Sequence, residues 1–358
     1  MRRLWRDRWE GKAVIRGGEW APFSFKIDLR AVTVFSVLGL VALAGVIVNV
    51  GVGEYPISPL DVVRTILGLD AGDDTYSFIV NVLRLPRALV AVLVGVALAL
   101  SGAILQGITR NDLAAPDIVG VNEGAALGAV TLIVVFPSVS AAFVPPAAFV
   151  GGVAMAGLLY LLAWRGNSSP MRMILIGIGL GAVASAFITF LITFGDIYEV
   201  QQALVWLAGS VYGRSWDQAL SFLPWLLVFV PLALLLSRHL NALSLGEEVA
   251  RGLGTRVERE RGLLLLASVA LAASAVATAG SVGFVAFIAP HIARGLVGPN
   301  HGGLLPVAAM TGGAIVVLSD LIGRTAFAPI EIPCGIVTSV VGAPYFLYLL
   351  YQSSRATK

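Results

Sequence analysis

The chain has 358 residues, 58% of them hydrophobic and 13% charged, with a mean hydropathy of +0.89. Such a composition excludes a soluble globular domain, and recurrent runs of about twenty apolar residues match the length an α-helix needs to cross about 30 Å of hydrocarbon. The alternating segments of a β-barrel do not occur, and the net charge of +3 comes without the aromatic-basic platform of a nucleic-acid binder. The predicted fold is all-α and integral to the membrane.

Residues 1–30 are mixed in charge and tryptophan-bearing, and no small-residue cleavage site follows the first apolar run. They read as a basic tail and not as a signal peptide. Ten spans are predicted, at about 31–52, 87–108, 114–136, 143–164, 171–195, 217–237, 262–280, 282–298, 304–323 and 331–351. They form one polytopic domain, 31–351, ahead of a short C-terminal tail, 352–358. The third span is interrupted by Pro116 and nearby glycines, and the eighth is short. Ten crossings put both termini on one side. Placing that side in the cytoplasm leaves only Arg64, Arg84, Arg87, Arg214 and Arg324 of the 24 basic residues outside, in keeping with the positive-inside rule.

After the first span, "ISPLDVVRTIL" predicts a short outer helix, with Ser58 as cap, Pro59 in the first turn and Asp61 completing a capping box. Small residues then punctuate the spans: Gly124 with Gly128, Gly177 with Gly181, and Gly151, Gly152 and Gly157. In lipid, such residues let helix backbones approach closely. Two short stretches repeat. "VALALSGA" at Val96–Ala103 returns as "VALAASAV" at Val269–Val276, and "APDI" at Ala115–Ile118 returns as "APHI" at Ala289–Ile292. The predicted topology runs the copies in opposite directions, the mark of an inverted repeat in transporters. Ser185, Thr189 and Thr193 make a hydroxyl stripe on the fifth span, with back-bonding to the helix as the competing explanation.

The stretch "SLGEEVARGLGTRVERERG", Ser244–Gly262, is a charged island between two spans. It predicts a helix–turn–helix knob: Ser244 and the glutamates start a helix, Ala250 and Leu253 share a face, and Gly254 stops it. A solvated loop with snorkelling arginines is the alternative. Cys334 is single, which excludes an intrachain disulfide.

Chemistry is sparse. Lys12, Lys26 and Lys358 are the lysines, and none lies in a glycine-rich phosphate loop, so this chain does not hydrolyse ATP. His239, His291 and His301 lack metal-ligand spacing, and no residues form a catalytic set. An ion-coupled carrier would bury several ionisable groups, whereas the deep candidates here are Glu123 and Asp320. No cofactor or metal is expected. The chain reads as a conduit powered by something else.

"GEEVARGLG" resembles the coupling-helix signature of the FecCD-type permeases, the membrane subunits of type II ABC importers for ferric siderophores, haem and cobalamin. The likeness covers almost everything beyond residue 30. "RLPRALVAVLVGVALALSGAILQGITRNDLAAPDIVGVNEGAALGA" is similar to the family's second and third spans, and "GFVAFIAPHIARGLVG", "LSDLIGR" and "EIPCGIVTSVVGAPYFLYLL" to its last three. "LLAWRGNSSPMRMILIGIG" and "RNDLAAPDIVG" most resemble ferric-enterobactin permease subunits, which pair as unlike partners.

The resemblance implies that Glu247, Glu248, Ala250, Arg251, Leu253 and Gly254 seat in a separate ATPase. It implies that Arg84, Arg87 and Arg324 meet carboxylates on an extracytoplasmic binding protein, with Asp320 holding Arg324 one turn away. Lipid-phosphate anchoring is the competing role for those arginines. The gate falls at Ser168, Ser169, Pro170 and Met171, and the path along Ser185, Thr189 and Thr193, with Glu123 facing the cavity, an arginine or a proton. Pro170 and Met171 depart from the small hydroxyl residues of cobalamin permeases, and Glu123 from the small or neutral residue usual there. The implied assembly is two permeases, the second a non-identical homologue, two ATPases and the binding protein in the cytoplasmic membrane, moving a ferric siderophore. Haem or cobalamin import is the runner-up, and an ion-coupled secondary transporter the alternative of another class.

Overall fold

The computed structural model describes residues 12–16, 24–69, 74–117, 119–163 and 170–356. Two short strands, β1 (Lys12–Arg16) and β2 (Ser24–Asp28), pair antiparallel with Lys12 opposite Asp28. The basic tail thus contains a hairpin that its charge pattern did not suggest. Asp28 closes the hairpin and caps α1 (Leu29–Gly51), its carboxylate accepting from the N–H groups of Arg30 and Ala31.

The outer helix is present as α2 (Pro59–Ile66). The Ser58 hydroxyl accepts from the Asp61 N–H at 3.2 Å and donates to the Asp61 carboxylate at 2.7 Å. A turn α3 (Asp74–Phe78) and a π-helical stretch over Ile79–Arg84 lead without a break into α4 (Leu85–Thr109). Then come α5 (Val121–Val135), α6 (Val144–Ala163), α7 (Pro170–Phe194), α8 (Ile197–Leu207) and α9 (Trp216–Leu235). The sequence reading had no counterpart of α8. Two small helices, α10 (Ser237–Ser244) and α11 (Glu247–Gly252), precede α12 (Val257–Ala279). The chain closes with α13 (Val285–Val297), α14 (His301–Thr325) and α15 (Cys334–Ala356).

All ten expected spans have a helix. Eight are long and apolar enough to cross a bilayer, whereas α5 and α13, the third and eighth, are shorter. Both are short for one reason. After α4 ends, the non-helical segment up to Gly120 turns back into the bundle, where Gly120 packs on Gly177 of α7 at a φ of +81°. After α12 ends, residues up to Phe284 do the same against Gly342 of α15, with Phe284 at a φ of +64°. Each short helix then completes the crossing from inside the bundle. Irregular backbone at this depth is tolerable only where protein encloses it.

The two units run in opposite directions, because the C-terminal end of α12 and the N-terminal end of α4 line the same cavity. This is the geometry expected of an inverted repeat. The "VALALSGA" pair lies on these helices, whose Ser101 and Ser268 hydroxyls meet at 2.9 Å. The "APDI" pair is a correction: Ala115 lies in the returning loop, while Ala289 lies within α13.

Helices α4, α12 and α14 form the core. Glycine lets α4 approach α14 and α13: a Cβ on Gly95 would stand 2.1 Å from the Gly312 carbonyl oxygen, and one on Gly102 only 1.7 Å from that of Ala286. The predicted Gly124–Gly128 pair likewise seats α5 on α6, against Ala147 and Gly151, but Gly157 touches nothing. The bundle has two ends. One carries the knob of α10 and α11, and the other a large chamber.

Candidate functional site

At the chamber end Arg84 and Arg87, near neighbours in sequence, meet the distant Arg324. Arg84 donates to the carbonyls of Val50 at 2.9 Å and Tyr55 at 2.9 Å, and Arg324 to those of Asn49 and Val52. Both therefore satisfy the open carbonyls where α1 ends, at the negative pole of its dipole. Arg87 is buried. Its Nε and Nη2 form a fork on Asp320, at 3.1 and 2.8 Å, and its Nη1 pairs with Glu331 at 2.9 Å. The guanidinium also sits 5.4 Å from the Tyr212 ring centroid. Asn49 completes the shell by donating to Asp320 at 3.0 Å.

Two expectations are corrected here. Asp320 holds Arg87 and not Arg324, because Arg324 reaches across to the end of α1. Arg87 is a structural charge already neutralised by two carboxylates, so only Arg84 and Arg324 remain partly open to the surface. Breaking so enclosed a pair would leave an uncompensated buried charge.

Behind the arginines lies a chamber of about 1970 Å³. Trp206, Tyr212, Phe222 and Trp225 give it an aromatic wall, and Arg84, Arg87, Arg214, Glu331 and Asp217 a polar floor. Arg214 makes no ion pair among the described residues, and desolvation lowers its affinity for its proton. Sequence reasoning missed Arg214 as a site residue and missed the whole aromatic wall. Trp206 lies on α8, Tyr212 in the turn after it, and Phe222 and Trp225 on α9, so no single spacing announced them together.

The knob is built as a rigid bracket. Ser244 ends α10 and does not start the next helix, its hydroxyl donating to the Asn241 carbonyl. Gly246, at a φ of +112°, opens α11 instead, with Glu247 and Glu248 in the first turn. The stop is as expected: Gly254 takes a φ of +81°, its N–H bonding the Arg251 carbonyl while the Thr255 N–H bonds that of Ala250. This is the Schellman pattern. Buried Arg261 grips Glu247 at 2.5 Å and ties α11 to α12, and Arg251 shares the same glutamate at 3.6 Å.

Ala250 and Leu253 do not share a fate. Ala250 is fully buried, while Leu253 is 65% exposed. The exposed apolar side chains of the knob are Leu245 (65%), which ends α10, and Val249 (48%) and Leu253, one turn apart on α11, beside exposed Glu248. Leu245 and Val249 were missed by sequence reasoning.

The expected path residues stay apart from the chamber. Ser185, Thr189 and Thr193 lie on an exposed face of α7, and Thr189 and Thr193 back-bond to the carbonyls of Ser185 and Thr189. Met171 is exposed and Pro170 begins α7, whereas Ser168 and Ser169 lie outside the described residues. Glu123 lies against Gly181 of α7, and its Oε2 has neither an arginine nor any other hydrogen-bond partner among the described residues. It does not line the chamber. Nearby, the loop residue Asp117 accepts a hydrogen bond from Asn122.

A buried ion pair at one end, exposed apolar side chains at the other and two inverted re-entrant units between them describe a membrane permease. The sequence matches the FecCD transport family over residues 40–352. The chain belongs to that family. Among its relatives, the Fe(3+)-citrate import system permease protein YfmE of Bacillus subtilis is 42% identical, covering 92% of this chain and 97% of that one. The achromobactin transport system permease protein CbrC of Dickeya dadantii is also 42% identical, over 92% and 94%. A solved structure described as an inward-facing conformation of a metal-chelate type ABC transporter superposes with a TM-score of 0.80 at 33% identity, covering 89% of this chain and 99% of that one. These matches establish the family and do not single out enterobactin permeases.

Proposed function

We propose that this chain carries an iron(III)-siderophore complex across the cytoplasmic membrane, with both termini in the cytoplasm. As a FecCD-family member it is a multi-pass, non-catalytic permease subunit of an ATP-driven importer, working with separate ATPase and substrate-binding components. One observation carries the proposal: a single bundle has a partner-ready surface at each end. The knob offers Leu245, Val249 and Leu253 to a cytoplasmic ATPase, with Glu247, Glu248, Ala250, Arg251 and Gly254 shaping and fixing the bracket. The opposite end offers Arg84 and Arg324 to carboxylates of a binding protein, on a platform locked by Arg87.

The cargo reading is supported by relatives named for Fe(3+)-citrate, achromobactin and iron(3+)-hydroxamate systems. A second, non-identical permease fits the observation that Bacillus subtilis has two differently named permease proteins of an Fe(3+)-citrate import system, YfmE and YfmD. We assign Glu123, Ser168, Ser169, Pro170, Met171, Ser185, Thr189 and Thr193 to the translocation path, formed where α7 meets that partner. The assembly would hold two ATPases.

The test is reconstitution. The tagged chain is purified with whatever accompanies it and placed in liposomes. Uptake of radiolabelled ferric siderophores is then measured with and without ATP, with haem and cobalamin in parallel. ATP-dependent ferric-siderophore uptake is expected. Uphill uptake without a nucleotide-hydrolysing partner would sink the proposal, and preference for cobalamin, the cargo of a 42% identical Halobacterium salinarum relative, would redirect its substrate.

A further inference from the structure

The helix α10 that carries the knob is fastened to the bundle by three polar side chains whose orientations determine one another. Asn300 caps α14, its Oδ1 accepting from the Gly302 N–H at 2.9 Å. That oxygen also faces the Asn241 amide of α10 at 3.1 Å, so the Asn241 atom turned toward it is the nitrogen, Nδ2. The Asn241 Oδ1 is left to accept from the His301 backbone N–H at 2.9 Å and to face the His301 Nδ1 at 2.8 Å. The His301 proton therefore sits on Nδ1, which donates. His301 is almost wholly buried, and Leu240, next to Asn241, is fully so. Both press on Gly107 of α4: a Cβ there would stand 2.7 Å from Leu240 Cδ1 and 2.9 Å from His301 Nε2. One point thus joins α10, α14 and the end of α4.

What α14 and α4 do next gives this clasp its significance. Helix α14 starts at His301 and reaches the chamber end with Asp320 and Arg324, while α4 starts there with Arg87 and ends beside Gly107. The two are fastened at the chamber end by the Arg87–Asp320 fork and in the middle by touching backbones at Gly95 and Gly312. They are fastened at the knob end by the contact of Gly107 with His301. A helix pair locked at three levels moves as one rod.

We infer that the Asn241–Asn300–His301 clasp is a positioning device that passes displacement of the knob into the α4–α14 rod, and through it to the arginine platform at the other end. The inference rests on the proposed roles of knob and platform. Coupling requires an element that both sites bias, and the rod touches both through a locked contact at each end. The Glu247–Arg261 pair is the rival route, since it leads from the knob into α12.

The experiment uses the whole importer in lipid nanodiscs, with its ATPase and binding-protein partners. ATP hydrolysis with and without binding protein, and ATP consumed per substrate moved in liposomes, are read in three variants. Asn241→Ala removes the central acceptor, His301→Leu removes the ring donor, and His301→Asn keeps a donor at the Nδ1 position. In the first two, assembly and basal hydrolysis stay intact, while stimulation by the binding protein falls by about fivefold or more and ATP per substrate rises by a similar factor. His301→Asn retains most of the coupling. Wild-type coupling in Asn241→Ala and His301→Leu overturns the clasp and leaves the α12 route. Equal loss in His301→Asn and His301→Leu overturns it too, because packing and not the hydrogen bond would then matter. If Asn241→Ala does not assemble, the two His301 variants decide. A wild-type chain to which no ATPase attaches refutes the functional proposal instead.

Discussion

Helices α4 and α7 match closely on paper and differ in the folded chain. Each spans 25 residues, both are strongly apolar and rich in glycine and alanine, yet 83% of the apolar window of α4 is buried against 17% of that of α7. Hydropathy registers the preference for hydrocarbon over water and is blind to whether lipid or protein supplies the hydrocarbon. The difference lies in what each helix meets. Small residues of α4 face backbones of α14 and α13 at contact distance, whereas Gly179 of α7 has nothing within 4 Å.

The largest effect that would test this contrast comes from one methyl group. Gly102→Ala places a carbon 1.7 Å from a carbonyl oxygen and is expected to abolish recovery of folded, monodisperse protein in detergent chromatography. Gly179→Ala is expected to change stability by no more than about 0.5 kcal/mol. Equal behaviour of the pair would break the comparison. Next in size, Arg87→Ala at the head of α4 strands Asp320 and Glu331 without their cation, and should cost about 3–5 kcal/mol in detergent unfolding. Replacing Arg64, an exposed surface arginine, serves as the small-effect control.

On α7, Thr189→Val and Ser185→Ala should leave unfolding within about 0.5 kcal/mol of wild type, because the Thr189 hydroxyl bonds only its own helix. A fall in uptake at unchanged stability would sharpen the contrast, since α7 would then spend its exposed face on transport. Unchanged uptake would remove those hydroxyls from the path.

Much of the molecule was legible before any coordinates. The ten apolar segments, the Ser58 cap, the Gly254 stop and the absence of a phosphate-binding lysine all follow from local chemistry. So does the exposed pair of Val249 and Leu253, had its spacing been followed beyond Ala250. The sites themselves were only half legible. Arg84, Arg87 and Arg324 stood out as positive charges at an unexpected end, but their division of labour did not. Nothing near Asp320 in the sequence says that its partner is Arg87, 233 residues away, when Arg324 is one turn along the same helix.

Composition and periodicity, which act within a few turns of chain, determined by themselves that this protein crosses the membrane repeatedly, has no phosphate-binding lysine and carries a charged island between two spans. Tertiary structure alone decided which helices form the core, which arginine is buried and which are partly exposed, and where aromatic residues gather around a chamber. Those outcomes depend on which backbones approach closely enough to exclude everything else. Glycine contacts and ion pairs between distant segments set that approach, and each becomes defined only once both partners are in place.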